Sequence, residues 1–374
     1  MKKSLIAIAA LAAAGAAAAQ SSVTMYGQVN TGYEHSKTDT TIDGVKTTTK
    51  TTGFQNDRVN TSRLGFKGEE ALGNGLSATF ALEMVFDAAN GEFKTTKDKD
   101  GHKIATFNRK ATVGLKGAFG EVRIGKDSTP MNEFDGSFKA IDRTASLAQI
   151  DVNNNGKDVL DAAFTARPTC LFYNGTFSGV NVSAAIGNNS ERTKTGGVTT
   201  DKQDTAVYGL GLGYNGGAWA VGAAFQHETA KGFSPAATPP VPEYNKKVTN
   251  YGVGASYDFT VAKLYGQYKG GQYKNKLPAG GKYSYDQFAI GVSAPFGATT
   301  LSAEYGYNKA KETAATTGTV TKFKGNVFAV QAEYAFSKRT SLVARAGQVA
   351  NWKNETTNDK SSTQEYTVGL RHKF

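Results

Sequence analysis

Apolar and polar residues alternate with a period of two along most of this chain. From Thr363 to Phe374, residues Tyr366, Val368, Leu370, His372 and Phe374 fall on one face. Glu365, Thr367, Gly369, Arg371 and Lys373 fall on the other. A period of two with unlike faces predicts a β-strand that is apolar on one side and polar on the other. Val23 to Ser36 has the matching pattern: Val23, Met25, Val29 and Tyr33 against Thr24, Gln28, Asn30 and Glu34. A last strand with no neighbour would be an open edge, which templates aggregation. Pairing it with Val23–Ser36 removes that edge and closes a barrel, with Phe374 at the seam.

The same alternation recurs between these two strands. Examples are Leu76 to Phe86, Val180 to Ile186, Tyr208 to Tyr214, Trp219 to Phe225, Tyr251 to Phe259, Phe288 to Phe296 and Phe328 to Phe336. About sixteen such strands are predicted, an even number, as single-chain bacterial outer-membrane barrels have. Short connections punctuate them at Gly73-Asn74-Gly75, Phe119-Gly120, Asn215-Gly216-Gly217, Phe296-Gly297-Ala298 and Ser337–Thr340. Long polar stretches alternate with these and are predicted as loops: 38–60, 88–107, 127–167, 188–204, 228–247, 270–284, 308–324 and 350–362. Short turns on one side and long loops on the other are the asymmetry of a transmembrane β-barrel, with periplasmic turns and extracellular loops.

The chemistry of the two faces predicts which one meets lipid. The Val, Leu, Ile, Phe and Tyr face is too apolar to line water around a whole circumference. The Ser, Thr, Gln, Glu, Lys and Arg face cannot meet hydrocarbon, where a midplane charge costs about 2–4 kcal/mol. The fold predicted is therefore all-β: a 16-stranded antiparallel transmembrane barrel, inside-out, with an aqueous lumen. Phe119, Tyr173, Phe177, Tyr214, Trp219, Phe259, Phe296, Phe336 and Phe374 gather near the short turns, where an interfacial aromatic girdle belongs.

Composition agrees with this picture. The 374 residues include 43 Gly, 17 Tyr and 21 Phe but only 8 Pro, with mean hydropathy −0.41. Lys and Arg number 43 against 32 Asp and Glu, for a net charge of +11. The basic residues are dispersed, so the excess does not read as nucleic-acid binding. The one cysteine, Cys170, excludes an intrachain disulfide and reads as a small strand filler. Residues 1–19 carry Lys2 and Lys3, then an uncharged Ala-rich run ending Ala17-Ala18-Ala19, the pattern of a cleaved signal peptide. Residues 20–374 are then a single barrel domain, exported to the outer membrane of a Gram-negative cell.

Several segments carry a family resemblance. They are SVTMYG from Ser22, SRLGFKGEE from Ser62, LGNGLSA from Leu72, RKATVGLKG from Arg109, FGEVRIG from Phe119, YAFSKRTSL from Tyr334 and VGLRHKF from Val368. In this order they resemble the general porins of β-proteobacteria such as Neisseria and Burkholderia. The resemblance implies a homotrimeric diffusion channel for ions and small hydrophilic solutes. It also implies lipid and lipopolysaccharide as partners, no cofactor, and a third long loop folded into the pore. Arg63, Arg109 and Arg167 match the family's basic strip at the constriction.

Residue phase adds to that set. Arg63, Lys67, Lys110 and Arg123 fall in the lumen-facing phase of their strands, with Glu83 the nearby acid. The incoming loop brings Glu133, Asp135, Asp142 and Asp151. This transverse arrangement predicts a preference for anions. Arg109 and Arg167 are out of lumen phase and reach the pore only where strand ends are irregular. Asp151, Asn153, Asn155 and Gly156 begin like a calcium loop, but the twelfth position is Ala162, so a solvated acidic loop is the favoured reading.

The dinucleotide-like Gly211–Gly216 lies inside an alternating strand with no helix after it, which defeats that reading. The four histidines form no metal or nucleophile constellation, so no catalytic activity is expected. The rival classes are an outer-membrane barrel enzyme and a secreted carbohydrate-binding β-protein.

Overall fold

The computed structural model describes residues 22–374 except 57–59, 94–95, 98–102, 106, 142–166, 196–197, 235–240 and 276–280. The expected signal peptide, Asp142 and the calcium-like Asp151, Asn153 and Asn155 lie outside the described residues. The chain opens with β1 (Ser22–Ile42), β2 (Val45–Asn56), β3 (Arg63–Gly73) and β4 (Leu76–Val85). A small ribbon of β5 (Thr96–Lys97) and β6 (Lys103–Ala105) comes next, then β7 (Lys110–Gly117) and β8 (Gly120–Lys126). Helix α1 (Pro130–Ser137) interrupts the strands. After it come β9 (Thr169–Phe177), β10 (Val180–Thr195), β11 (Val198–Asn215), β12 (Trp219–Ser234), β13 (Val241–Asp258) and β14 (Lys263–Asn275). The chain ends with β15 (Lys282–Phe296), β16 (Thr299–Thr313), β17 (Val320–Ala335), β18 (Thr340–Asn354) and β19 (Lys360–Lys373).

Among the described residues the main sheet holds seventeen strands, each antiparallel to its neighbours. The wall nevertheless has sixteen staves. β2 pairs with the upper part of β1, Thr31 to Ile42, and β3 pairs with the lower part, Ser22 to Gln28. They stand end to end in one stave. The other flank of β1 pairs with β19 from Gln28↔Lys373 to Thr41↔Lys360, which closes the ring. Phe374 seals the seam: Gly27 N donates to its carbonyl at 3.1 Å, and its own N donates to Gly27 O at 3.2 Å.

Burial runs opposite to that of a soluble protein. On β19, Val368 is 52% exposed and neighbouring Thr367 only 4%. Leu210, Val253, Ile290 and Tyr366 are exposed, while Asn30, Gln226, Asn250 and Glu304 are buried. The apolar face points outward and the polar face inward, as the alternation predicts. Phe119, Phe177, Tyr214, Trp219, Phe259, Phe296 and Phe336 are exposed beside the short turns. A closed ring of this kind excludes the secreted sandwich.

The loop assignments need correction. Most of the long polar stretches are strand rather than loop. β1 continues to Ile42 and turns at Asp43–Gly44 into β2, and β10 and β11, β16 and β17, and β18 and β19 also extend upward before turning. The turns at Ser178–Gly179 and Phe259–Ala262 complete the short side.

Candidate pore constriction

The segment after β8 turns into the barrel. Thr129 caps α1, its Oγ1 accepting Asn132 N at 3.3 Å, and Pro130 takes the first turn, where no N–H is missed. The helix lies inside the barrel against β11, β12 and β13. Met131, Phe134 and Phe138 pack with Ala224. Their rings need a wall without side chains, which glycine supplies: a Cβ on Gly254 would meet Phe138 Cδ2 at 2.5 Å, and one on Gly252 would overlap Phe134. Beyond the helix, Glu304 of β16 accepts the amides of Ala140 at 2.9 Å and Ile141 at 3.1 Å. Lys269 of β14 is ion-paired with Asp135. Burial opposes ionisation of Asp135, yet Lys269 and then Lys139 hold its carboxyl below the usual range.

The staves from β3 to β9 carry the basic wall. Arg63 Nε lies 3.7 Å from Glu83 Oε2, and Arg109 pairs with the other oxygen of Glu83. Asp127 is 1% exposed, and its Oδ2 lies 3.0 Å from Lys110 Nζ and 3.1 Å from Arg123 Nη2, two ion pairs. Arg123 also reaches Glu121 at 2.6 Å and Asn174 Oδ1 at 2.8 Å. Arg167 lies within electrostatic reach of Arg109, Arg63, Glu83 and Asp127. Glu133 on α1 is open to lumen water but ringed by the wall. Burial first, and Asp127 second, raise its pKa above the ordinary carboxylate value, against Lys110 and Arg123.

The structure therefore brings Arg63, Glu83, Arg109, Lys110, Arg123 and Arg167 together, with Glu133 facing them. Arg109 and Arg167 reach the cluster because each stands just outside a strand: β7 begins at Lys110 and β9 at Thr169. Arg109 N donates to Glu83 O at 3.1 Å, which ties that irregular end to β4. Asp135 is set apart on the Lys269 side. Lys67 is not in the cluster; it lies over the Tyr26 ring, 5.4 Å from the centroid.

Sequence reading missed Asp127 and Glu121, which hold the basic wall, and Lys269 and Glu304, which hold the loop. The last two lie in the lumen phase of their strands. Tabulating every lumen-phase charge on all staves, and not only on the first five, would have found them.

The same architecture and family features occur in known proteins. Residues 5–356 match the family described as Gram-negative porin. The chain is 34% identical to outer membrane porin protein 32 of Delftia acidovorans, over 79% of this chain and 77% of that one. It is 30% identical to the major outer membrane protein P.IB of Neisseria sicca over the full length of both. Among solved structures, the anion-selective porin from Comamonas acidovorans aligns with a TM-score of 0.61 at 23% identity, covering 95% of this chain and 100% of that one.

Proposed function

The chain belongs to the Gram-negative porin family, and we propose that its outer-membrane channel prefers anions among the small hydrophilic solutes it passes. One observation carries the preference. Arg63, Arg109, Lys110, Arg123 and Arg167 converge on one stretch of wall where α1 narrows the lumen, and Glu83, Asp127 and Glu121 offset them only in part. Wall charge governs ion choice where a channel narrows to within a Debye length, about 8 Å at physiological salt. The anion selectivity named for the Comamonas protein supports the same reading.

Planar-bilayer recording in a KCl gradient tests it. The wild type gives a reversal potential toward the chloride equilibrium value, and Arg63→Glu moves it clearly toward potassium. A cation-preferring wild type, or no movement on reversing Arg63, overturns the assignment. The same reading includes a homotrimer, a leader removed after Ala19, contacts with lipid and lipopolysaccharide, no nucleic-acid partner, and a channel in place of a catalyst.

A further inference from the structure

The outer wall carries a feature that the channel does not use. In the cross-strand register of β16 to β19, Lys309 stands opposite Lys324, Lys324 opposite Lys353, and Lys353 opposite Lys360. Two residues higher on β16, Lys311 stands opposite Lys322. All six side chains are exposed. They share the outward phase of Leu301 and Tyr305 on β16 and of Phe328 and Val330 on β17. Directly opposed residues hold their Cβ atoms about 5 Å apart, and like charges there are destabilising. Each of these lysine–lysine pairings thus works against the sheet that carries it.

Neighbouring acids offset the conflict only in part. Glu355 pairs with Lys324 at 2.7 Å, and Lys324, Lys322 and Lys353 together hold its carboxyl below the usual range. Asp286, opposite Lys309, accepts the Tyr268 hydroxyl at 2.6 Å. Asp359 accepts the Thr357 hydroxyl at 2.5 Å and the Asp43 amide at 3.0 Å. Among the described residues, Lys324 is the one of the six with an ion pair.

Height identifies what neutralises the rest. A strand tilted about 40° climbs roughly 2.5 Å per residue. From Thr299, beside the short turn, to Lys309 is about ten residues, or about 25 Å, the height of the apolar band of such barrels. The lysine row therefore begins where hydrocarbon ends on the long-loop side. Tyr305 and Phe328 are directly opposed just beneath it, and Lys309 Nζ lies 5.5 Å from the Tyr307 ring centroid. Four staves at about 4.8 Å spacing spread the row over about 14 Å, room for a headgroup with more than one phosphate.

We propose that the Lys309–Lys324–Lys353–Lys360 row, with Lys311 and Lys322 above it, is a docking site for a phosphorylated glycolipid headgroup of the outer leaflet. The phosphates take the place of missing carboxylates, and the acyl chains lie along the apolar wall below. The proposal rests on the outer-membrane reading, and it localises a lipid contact that the family resemblance leaves without an address.

The test is binding of lipid A to the purified full-length protein in detergent, followed by native mass spectrometry. Lipid A bearing two phosphates is compared with its dephosphorylated form of identical acyl chains. Replacing Lys309, Lys311, Lys322 and Lys324 by Gln should weaken binding of the phosphorylated form tenfold or more and leave the dephosphorylated form unchanged. The control variant replaces four lysines that sit beside acids, namely Lys37 and Lys46 near Asp39, and Lys202 and Lys231 near Asp204. It should bind like the wild type.

Inorganic phosphate at the same concentration should not displace the lipid. Without lipid, the first variant should melt at a higher temperature than wild type, because the repulsion is gone. Equal binding of both lipid forms by wild type, equal losses in the two variants, or displacement by free phosphate overturns the site. Single-channel conductance, recorded in parallel, should be unchanged in both variants. A lipid preference without channels would overturn the porin reading and leave this one standing.

Discussion

Asp127 and Glu133 show how single carboxylates set the character of the lumen. Asp127 is buried against Lys110 and Arg123, so its charge fixes their positions rather than reaching the ions that pass. Glu133 faces the channel, and burial together with Asp127 raises its pKa. A raised carboxylate takes up its proton at higher pH than a free carboxylate does. As pH falls, Glu133 is therefore neutralised before an unperturbed carboxylate would be, and the narrowing becomes more positive. Reversal potentials should show anion preference rising as the pH is lowered from neutral. Glu133→Gln should have the stronger preference already at neutral pH and lack the first part of the rise. An identical pH profile for the two proteins would place Glu133 out of reach of the permeating ions.

At the level of elements, strands were legible in the sequence where one face met lipid and the other water. Val368, Leu370 and Tyr366 against Thr367 and Glu365 leave no ambiguity. The upper halves of the same strands were not legible. β2 reads VKTTTKTTGFQN, threonine on both faces and lysine on one, because both faces stand in water above the membrane and hydrophobic contrast has no cause there. Helix α1 was missed for another reason. Its Thr129-Pro130 start is a helix signal, but the wall that receives it is written in glycines scattered over β12 and β13. A glycine in a strand marks close approach only once the approaching group is known. That relation gives a prediction. Gly252→Leu fills the space of the Phe134 ring, an overpacking that costs about 1–3 kcal/mol. The barrel should fold, since the change faces the lumen, while α1 leaves its seat. Single-channel conductance should change in level or become noisy, and protease should cut between Thr129 and Ile141. Unaltered conductance together with an uncut loop would mean that glycine is not what seats the helix.

For the molecule as a whole, stability rests on a division of solvents rather than on a core. The ring closes through β1 and β19 so that its main-chain groups find partners within the wall, a requirement that hydrocarbon imposes and water does not. The cost of a charge should then depend on side and not on burial in the ordinary sense. Leu210 is exposed, pairs with Ala184 and Phe225, and sits about four residues, or roughly 10 Å, above the girdle residue Tyr214. That is close to mid-bilayer. Leu210→Arg should lose about 2–4 kcal/mol, although a surface change of this kind in a water-soluble protein is usually within about 0.5 kcal/mol. Ser77 points inward on β4 opposite Lys116, and Ser77→Arg can stay hydrated in the lumen. Ser302, although it also points inward, is buried, so an arginine there would be crowded and is the poorer comparison. Urea titration in lipid vesicles measures both changes on one scale. A large loss for Leu210→Arg with a small one for Ser77→Arg is the expected order. Equal losses would mean that the outward face is covered by something other than hydrocarbon, and a reversed order would turn the barrel outside in.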